Sequence, residues 1–162
     1  MSPDYNPRTD SSDLASERIA MIRSYLYGGC FFHVMPTVAD EYSRIPSKTR
    51  RLTHEQVCNI LLSDGPWELD KEAIMLRAQD LFTYHNRERD CQVIAEAEAV
   101  GLEVLLTCDQ DLIAKLGPRA KGLSIMKPTD FFTKLGIKPG AKPIWSPAPS
   151  NPLYDKNWWG LG

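Results

Sequence analysis

The chain has 162 residues, of which 43% are hydrophobic and 25% charged, with a formal net charge of -2. Its length and composition are typical of one globular domain, and its charge argues against non-specific duplex binding driven by a large positive field. No apolar run approaches the roughly 18 residues of a membrane span, and the polar start lacks a secretory signal. The four cysteines form no C-x-x-C pair and the three histidines lie far apart. We therefore expect a reduced, cytoplasmic protein without a structural zinc site.

Helices and strands alternate along the first half of the chain. Residues 1–13 are polar and predict an irregular segment, and the apolar spacing that follows predicts a helix from Asp13 or Ser16 to Gly28. The next predicted elements are a buried strand over Cys30–Met35, a helix that opens at Pro36 and closes at Pro46, a helix that starts at Thr53 with a Thr53/Gln56 capping box, and a turn over residues 63–66.

The second half continues the alternation and ends in a tail. Its predicted elements are a helix capped by Asp70, a helix over Asp90–Val100 closed by Gly101, a strand over Leu102–Thr107, a short helix over residues 112–116, a strand over Leu123–Met126 and a helix from Pro128. The Leu102–Thr107 strand is apolar on both faces, which favours a place inside a parallel sheet. We expect an irregular segment at 1–13, an α/β domain over 14–135 with a mostly parallel sheet, and a Pro/Trp-rich tail at 136–162.

Three acidic residues fall where the strands of such a sheet end. Glu41 lies about one turn into the helix after the Cys30–Met35 strand, Asp109 follows the Leu102–Thr107 strand, and Asp90 starts the helix that leads into that strand. Ligands of open parallel sheets bind at this edge. Carboxylates gathered there repel each other unless a cation is bound, and carboxylate oxygens suit Mg²⁺ or Mn²⁺.

Each acid also has a simpler interpretation. Asp90 fits an ordinary N-cap, Glu41 fits a solvated helix residue with Asp40 as a competitor for its role, and Asp109 and Asp111 fit turn or cap residues before the next helix. Thr107 is a candidate auxiliary residue, because its hydroxyl can orient a carboxylate or a metal-bound water.

Basic residues lie close to these acids in the sequence. They are candidates for contact with RNA phosphates, although a solvated loop is the commoner explanation; the set comprises Arg44, Lys48, Arg50, Arg51, Arg87 and Arg89.

The stretch from Asp90 to Leu112 resembles the core signature of PIN domains: an Asp opening an Ala-rich helix, a Gly, an apolar strand, then Thr-x-Asp. Residues 36–41, Pro-Thr-Val-Ala-Asp-Glu, resemble the family's Pro-Ser/Thr…Glu segment, and residues 125–131 resemble its closing strand-Pro-helix element. The resemblance covers roughly residues 14–135. It implies a Rossmann-like three-layer α/β/α sandwich.

The same resemblance implies a function. Members of the family are typically endoribonucleases that use Mg²⁺ or Mn²⁺, many are toxins held inactive by a partner antitoxin, and many form homodimers. By this resemblance Glu41, Asp90 and Asp109 match three of the family's metal-binding acids, with Asp111 or Thr107 as an auxiliary residue.

The chain departs from the family pattern at its start. PIN domains normally open with a buried apolar strand that ends in the first catalytic Asp, and nothing before Leu14 has such an apolar run. A start site placed too far downstream, a natural truncation and a degenerate domain are the three explanations, and we favour the first because the other three acids remain.

Two further hypotheses stay open beside a metal-dependent ribonuclease. One is a catalytically degenerate PIN-like module that binds RNA or a protein partner. The other is an unrelated Rossmann-like enzyme acting on a small molecule, which is disfavoured because the chain has no G-x-G-x-x-G or G-x-x-x-x-G-K-[ST] motif.

Overall fold

The computed structural model describes residues 10–52, 55, 62–63, 68–145, 149–150 and 154. The chain forms two compact units: a terminal unit made of Met1–Cys30 and Lys127–Gly162, and a central unit made of Phe31–Met126. The domain predicted over residues 14–135 thus includes residues of both units. Within the described residues, no helix is long and apolar enough to cross a membrane.

The described fold is mixed α/β and mostly helical. In chain order its elements are α1 (Asp10–Gly28), β1 (Phe32–His33), α2 (Pro36–Ser43), β2 (Leu62–Ser63), α3 (Lys71–Phe82), α4 (Glu88–Ala99), β3 (Val104–Leu106), α5 (Gln110–Leu116), a 3₁₀ turn (Gly117–Arg119), β4 (Ser124–Met126) and α6 (Pro128–Leu135). Residues 48–52 are also helical.

The predicted helix starts need two corrections. Helix α1 begins at Asp10, so the irregular segment predicted over residues 1–13 is wrong from residue 10 onward, while residues 1–9 lie outside the described part. Asp and Ser are favoured at helix starts, so a polar sequence there does not indicate irregular structure. The chain is already helical at 48–52, before the predicted start at Thr53, and the Thr53/Gln56 capping box and most of the 63–66 turn lie outside the described residues.

The strands are parallel, as predicted, and shorter than predicted. Strand β1 pairs with β2, and β3 pairs with β4 with Leu105 opposite Ile125. Within the described part of the chain these are two separate two-stranded pairs, and β3 has β4 as its single neighbour. The prediction that β3 lies inside a sheet is therefore not met there, and its three residues are partly exposed.

The core of the central unit is built on the helical hairpin of α3 and α4. The fully buried Leu81 of α3 meets Cys91 and Ile94 of α4, both 0% exposed, and the strands and α5 add further apolar side chains. Fully burying one such aliphatic side chain contributes about 1.5–3 kcal/mol. This packing fixes the connection between α3 and α4, residues 83–87, which carries part of the candidate site.

The terminal unit packs α1 against α6. The described part of the predicted C-terminal tail also lies on α1: the backbone N–H of Ile144 donates to the Leu26 carbonyl at 2.7 Å, and the Trp145 ring stacks on Tyr25 with centroids 6.4 Å apart. These contacts hold the described residues that follow α6 against the unit's first helix.

A glutamate from a distant helix caps α2 and another caps α6. Helix α2 begins Pro36-Thr37, and the Thr37 backbone N–H and hydroxyl donate to the Glu96 carboxylate at 3.1 and 2.6 Å. Helix α6 begins Pro128-Thr129, and Thr129 donates in the same way to Glu17, at 2.9 Å for both bonds. Each carboxylate accepts an otherwise orphaned N–H and lies at the positive end of the helix.

We predict that Glu96→Gln lowers the free energy of unfolding by about 1–3 kcal/mol, because the new amide NH₂ replaces an acceptor in a buried site. The residue Glu96 as a whole is 3% exposed. Urea unfolding measures the change, with Glu103→Gln at an exposed position as the matched control. Equal stability of the two variants would contradict the capping role.

Candidate functional site

The connection between α3 and α4 carries a buried histidine, His85, next to two of the acidic residues. The His85 side chain is 0% exposed, and its backbone is held by bonds from His85 N to the Leu81 carbonyl and from the Cys91 thiol to the His85 carbonyl. Its Nε2 lies 2.8 Å from Asp90 Oδ2. Its Nδ1 lies 3.6 Å from Asp111 Oδ2 and is the one buried side-chain nitrogen or oxygen of the described residues that lacks a hydrogen-bond partner. The imidazole thus lies between two carboxylates.

Asp90 is not the N-cap of its helix. Helix α4 begins at Glu88, and the N-cap is Arg87, whose side chain makes no capping bond. Asp90 therefore lies inside the first turn, where the helix dipole favours a negative charge. Its carboxylate is directed to His85, and the simpler interpretation of Asp90 as a cap is wrong.

Asp109 does cap a helix, and still has an oxygen free for other contacts. Its Oδ1 accepts from the Leu112 N–H at 3.0 Å, which caps α5. The Thr107 hydroxyl accepts the Asp109 N–H at 3.1 Å, so Thr107 holds the backbone of Asp109. The other oxygen, Oδ2, points to Arg87.

A single guanidinium connects two of the predicted acids. Arg87 Nη1 lies 2.7 Å from Asp109 Oδ2 and 3.8 Å from Asp90 Oδ2. Asp90 comes from α4 and Asp109 from the end of β3, so tertiary folding brings them to the same cation. The Arg87 side chain is 60% exposed, whereas those of Asp90 and Asp109 are 28% and 32% exposed. The cation is therefore the most exposed of the three groups.

Asp111 completes this group, which we call the carboxylate cluster: His85, Arg87, Asp90, Asp109 and Asp111. Lys115 Nζ donates to Asp111 Oδ2 at 2.9 Å. This bond lowers the pKa of Asp111 below its ordinary value, and the nearby charges of Lys115 and Arg87 act in the same direction. Asp111 is thus ionised and already paired with a lysine.

Glu41 belongs to a second group, the Asp40 group: Asp40, Glu41, Arg44 and Arg89. Arg89 lies 3.1 Å from Asp40 Oδ2 and 3.5 Å from Glu41 Oε1, and Arg44 lies 2.8 Å from Asp40 Oδ2. Asp40, the predicted competitor, carries two ion pairs and Glu41 one. The described contacts do not join Glu41 to Asp90 or Asp109. Of the three predicted acids, only Asp90 and Asp109 therefore share a partner, and Glu41 belongs to the neighbouring group.

The donor chemistry of the carboxylate cluster fits a divalent cation. In the described part of the chain, no group of three or more His, Cys, Asp or Glu residues is arranged to hold a metal ion. Magnesium, however, is often bound through one or two carboxylates, with water and substrate phosphate completing its shell. In this structure the Arg87 guanidinium lies between Asp90 and Asp109, at 3.8 and 2.7 Å.

The remaining predicted basic residues lie away from the carboxylate cluster's contacts. Arg51 pairs with Glu55 at 3.9 Å and donates to the Ile45 carbonyl at 3.5 Å. Lys48 and Arg50 are exposed. Arg44, Arg87 and Arg89, in contrast, all contact predicted or competing acids.

Sequence reasoning missed His85 and Glu96. His85 follows helix α3, and its position five residues before Asp90 was the available signal. Glu96 lies in the Ala-rich helix among the buried Ile94, Ala95 and Ala97, so its place on a buried part of α4 was the signal.

We predict that the hydrogen bond between His85 Nε2 and Asp90 stabilises the carboxylate cluster, and that a polar atom placed elsewhere in the side chain at position 85 does not replace it. Glutamine can place its amide near the position of Nε2, and asparagine near that of Nδ1. His85→Gln should therefore retain more unfolding free energy than His85→Asn, and His85→Phe should lose about 1–3 kcal/mol. Urea unfolding of the three variants checks the order. Asn performing as well as Gln would contradict it.

Comparison with known proteins adds no relative. No family model matches the chain, and neither a curated protein nor a solved structure matches it. The resemblance to PIN domains therefore rests on the residues of the chain itself, and the function that follows from it is a proposal.

Proposed function

We propose that the chain is a PIN-type endoribonuclease that hydrolyses RNA phosphodiester bonds with Mg²⁺ or Mn²⁺. One observation carries the proposal: Asp90 and Asp109 come from different elements and share one exposed cation, Arg87. A pair of half-buried carboxylates that share a replaceable cation is suited to exchange it for a metal ion. Asp111 and Glu41 are additional acids near this pair and in the neighbouring Asp40 group.

In the proposed reaction the side chains of the protein hold the metal ion and orient its ligands. A bound divalent ion would supply an activated water and stabilise the charge that develops on the phosphate. Asp90 and Asp109 would hold that ion, His85 fixes the Asp90 carboxylate, and Thr107 fixes the backbone of Asp109. Arg87, once displaced from the acids, remains close enough to contact a phosphate of the substrate.

We also propose that the chain has the three-layer, Rossmann-like sandwich fold of the family. Its support is the sequential alternation of helices and short strands and the parallel pairing of β1 with β2 and of β3 with β4. In such a scaffold, Asp109 lies where ligands of parallel sheets bind, because it follows the carboxyl end of β3.

A non-catalytic, RNA-binding PIN-like module is the second candidate. The observation that favours it is the same guanidinium, because Arg87 already neutralises Asp90 and Asp109 without a metal. The two candidates differ in one measurable property, which is metal-dependent cleavage.

We predict that the chain cleaves a mixed structured RNA in Mn²⁺ and not in EDTA, and that Asp109→Asn lowers the cleavage rate by at least about 100-fold. This variant removes the charge while an amide oxygen remains to cap α5, so it should stay folded. Asp90→Asn should show a comparable loss.

The matched control is Asp130→Asn, which neutralises an exposed acid in the first turn of α6. Cleavage that persists in both site variants, or in EDTA, would contradict the assignment. RNA binding without cleavage by the folded wild-type chain would favour the non-catalytic module.

A further inference from the structure

A cavity of about 560 Å³ opens in the central unit between α2 and the first halves of α3 and α4. Its volume lies within the range of roughly 300–1,000 Å³ that is usual for small-molecule sites. The carboxylate cluster does not line it. Arg89 and Asp40 of the Asp40 group do, so it adjoins that group.

One wall of the cavity is apolar. Leu69, Ile74 and Met75 contribute to it. Ile74 is buried, whereas Met75 is 61% exposed although it is large and apolar. A flexible thioether beside a fixed isoleucine suits a flat aromatic ligand, because methionine adapts its shape and makes favourable sulfur–aromatic contacts.

The cavity lining also includes hydrogen-bonding groups of α4, among them Gln92 and Glu88. The amide nitrogen of Gln92 donates to Glu96 Oε1 at 3.3 Å. An amide and a carboxylate together provide donors and acceptors of the kind that read the edges of nucleobases.

Three cations stand around the same cavity. Arg44 and Arg89 both contact one carboxylate, that of Asp40, at 2.8 and 3.1 Å. Lys71 also lines the cavity, is exposed, and makes no ion pair with the described residues. A phosphate would be attracted to Lys71 and to the two guanidinium groups, which share Asp40, although Arg89 also lies 3.5 Å from Glu41.

We propose that this cavity binds one nucleotide of a single-stranded RNA, with the base against Leu69 and Met75 and a phosphate among Lys71, Arg44 and Arg89. The proposal rests on the proposed ribonuclease function and names its substrate contact. Arg89 supports it, since this residue lies 3.5 Å from Glu41 Oε1 and directly precedes Asp90 in the chain. A strand held here lies beside Asp40 and Arg89 of the Asp40 group.

The test is RNA binding in EDTA, where metal-dependent cleavage cannot occur. A fluorescently labelled, unstructured single-stranded RNA is titrated with the wild-type chain and with Met75→Asp and Lys71→Glu. Both variants should raise the dissociation constant by about tenfold, which is within the range for loss of one stacked base or one phosphate contact.

The matched controls are Leu76→Asp, at the neighbouring and equally exposed apolar residue of α3, and Lys121→Glu, at an exposed lysine; neither lines the cavity. Both should stay within about twofold of wild type. Adenosine 5′-monophosphate should compete with the RNA better than adenosine or inorganic phosphate alone, because the site reads base and phosphate together.

Equal losses in Met75→Asp and Leu76→Asp, or unchanged affinity in both cavity variants, would overturn the proposal. Its failure is distinct from failure of the proposed function. Cleavage that needs Asp109 while the cavity variants bind normally contradicts the cavity alone, and cavity-dependent binding without cleavage contradicts the nuclease alone.

Discussion

The arrangement of Asp90 and Asp111 depends on their contacts with the buried imidazole of His85. The α3–α4 hairpin packs through Leu81 and Cys91, and this packing closes the connection over the imidazole and leaves it no water. A buried polar ring must find partners within the protein. Its Nε2 contacts Asp90 and its Nδ1 faces Asp111. The packing of the core therefore also determines the positions of these two carboxylates.

Charge balance is the second constraint. The carboxylate cluster gathers three acids, and Arg87 and Lys115 offset them without being buried themselves. Ion pairs this exposed contribute little to stability, typically 0–1 kcal/mol. The acids are also held by a cap, a backbone bond and a buried histidine. The charged groups of Arg87 and Lys115, in contrast, contact the acids.

Local sequence patterns predicted which elements form better than they predicted the lengths of those elements. They also identified the acidic residues of the candidate site better than they predicted which of these residues lie together. The helix over Asp90–Val100 and the parallel strands around Leu105 and Ile125 were predictable, because periodicity and glycine stops are local. The cap that Glu96 places on α2 was not, since its partners are 59 residues apart and nothing local to Thr37 names them. For the same reason Asp109 was recognisable as an acid after a strand, whereas its pairing with Arg87, and the separate pairing of Glu41 with Arg89, needed tertiary structure.

We propose that Asp90 and Asp109 form a cation site in which Arg87 holds the place of a metal ion. Mn²⁺ binding, followed by electron paramagnetic resonance, tests it on the wild-type chain, Arg87→Ala and Asp109→Asn. Removing a competing positive charge that lies 2.7 and 3.8 Å from the ligands should tighten Mn²⁺ binding by about tenfold in Arg87→Ala, whereas Asp109→Asn should weaken it. The same weak Mn²⁺ binding in all three proteins would mean that the guanidinium is a structural ion pair, and would contradict the account.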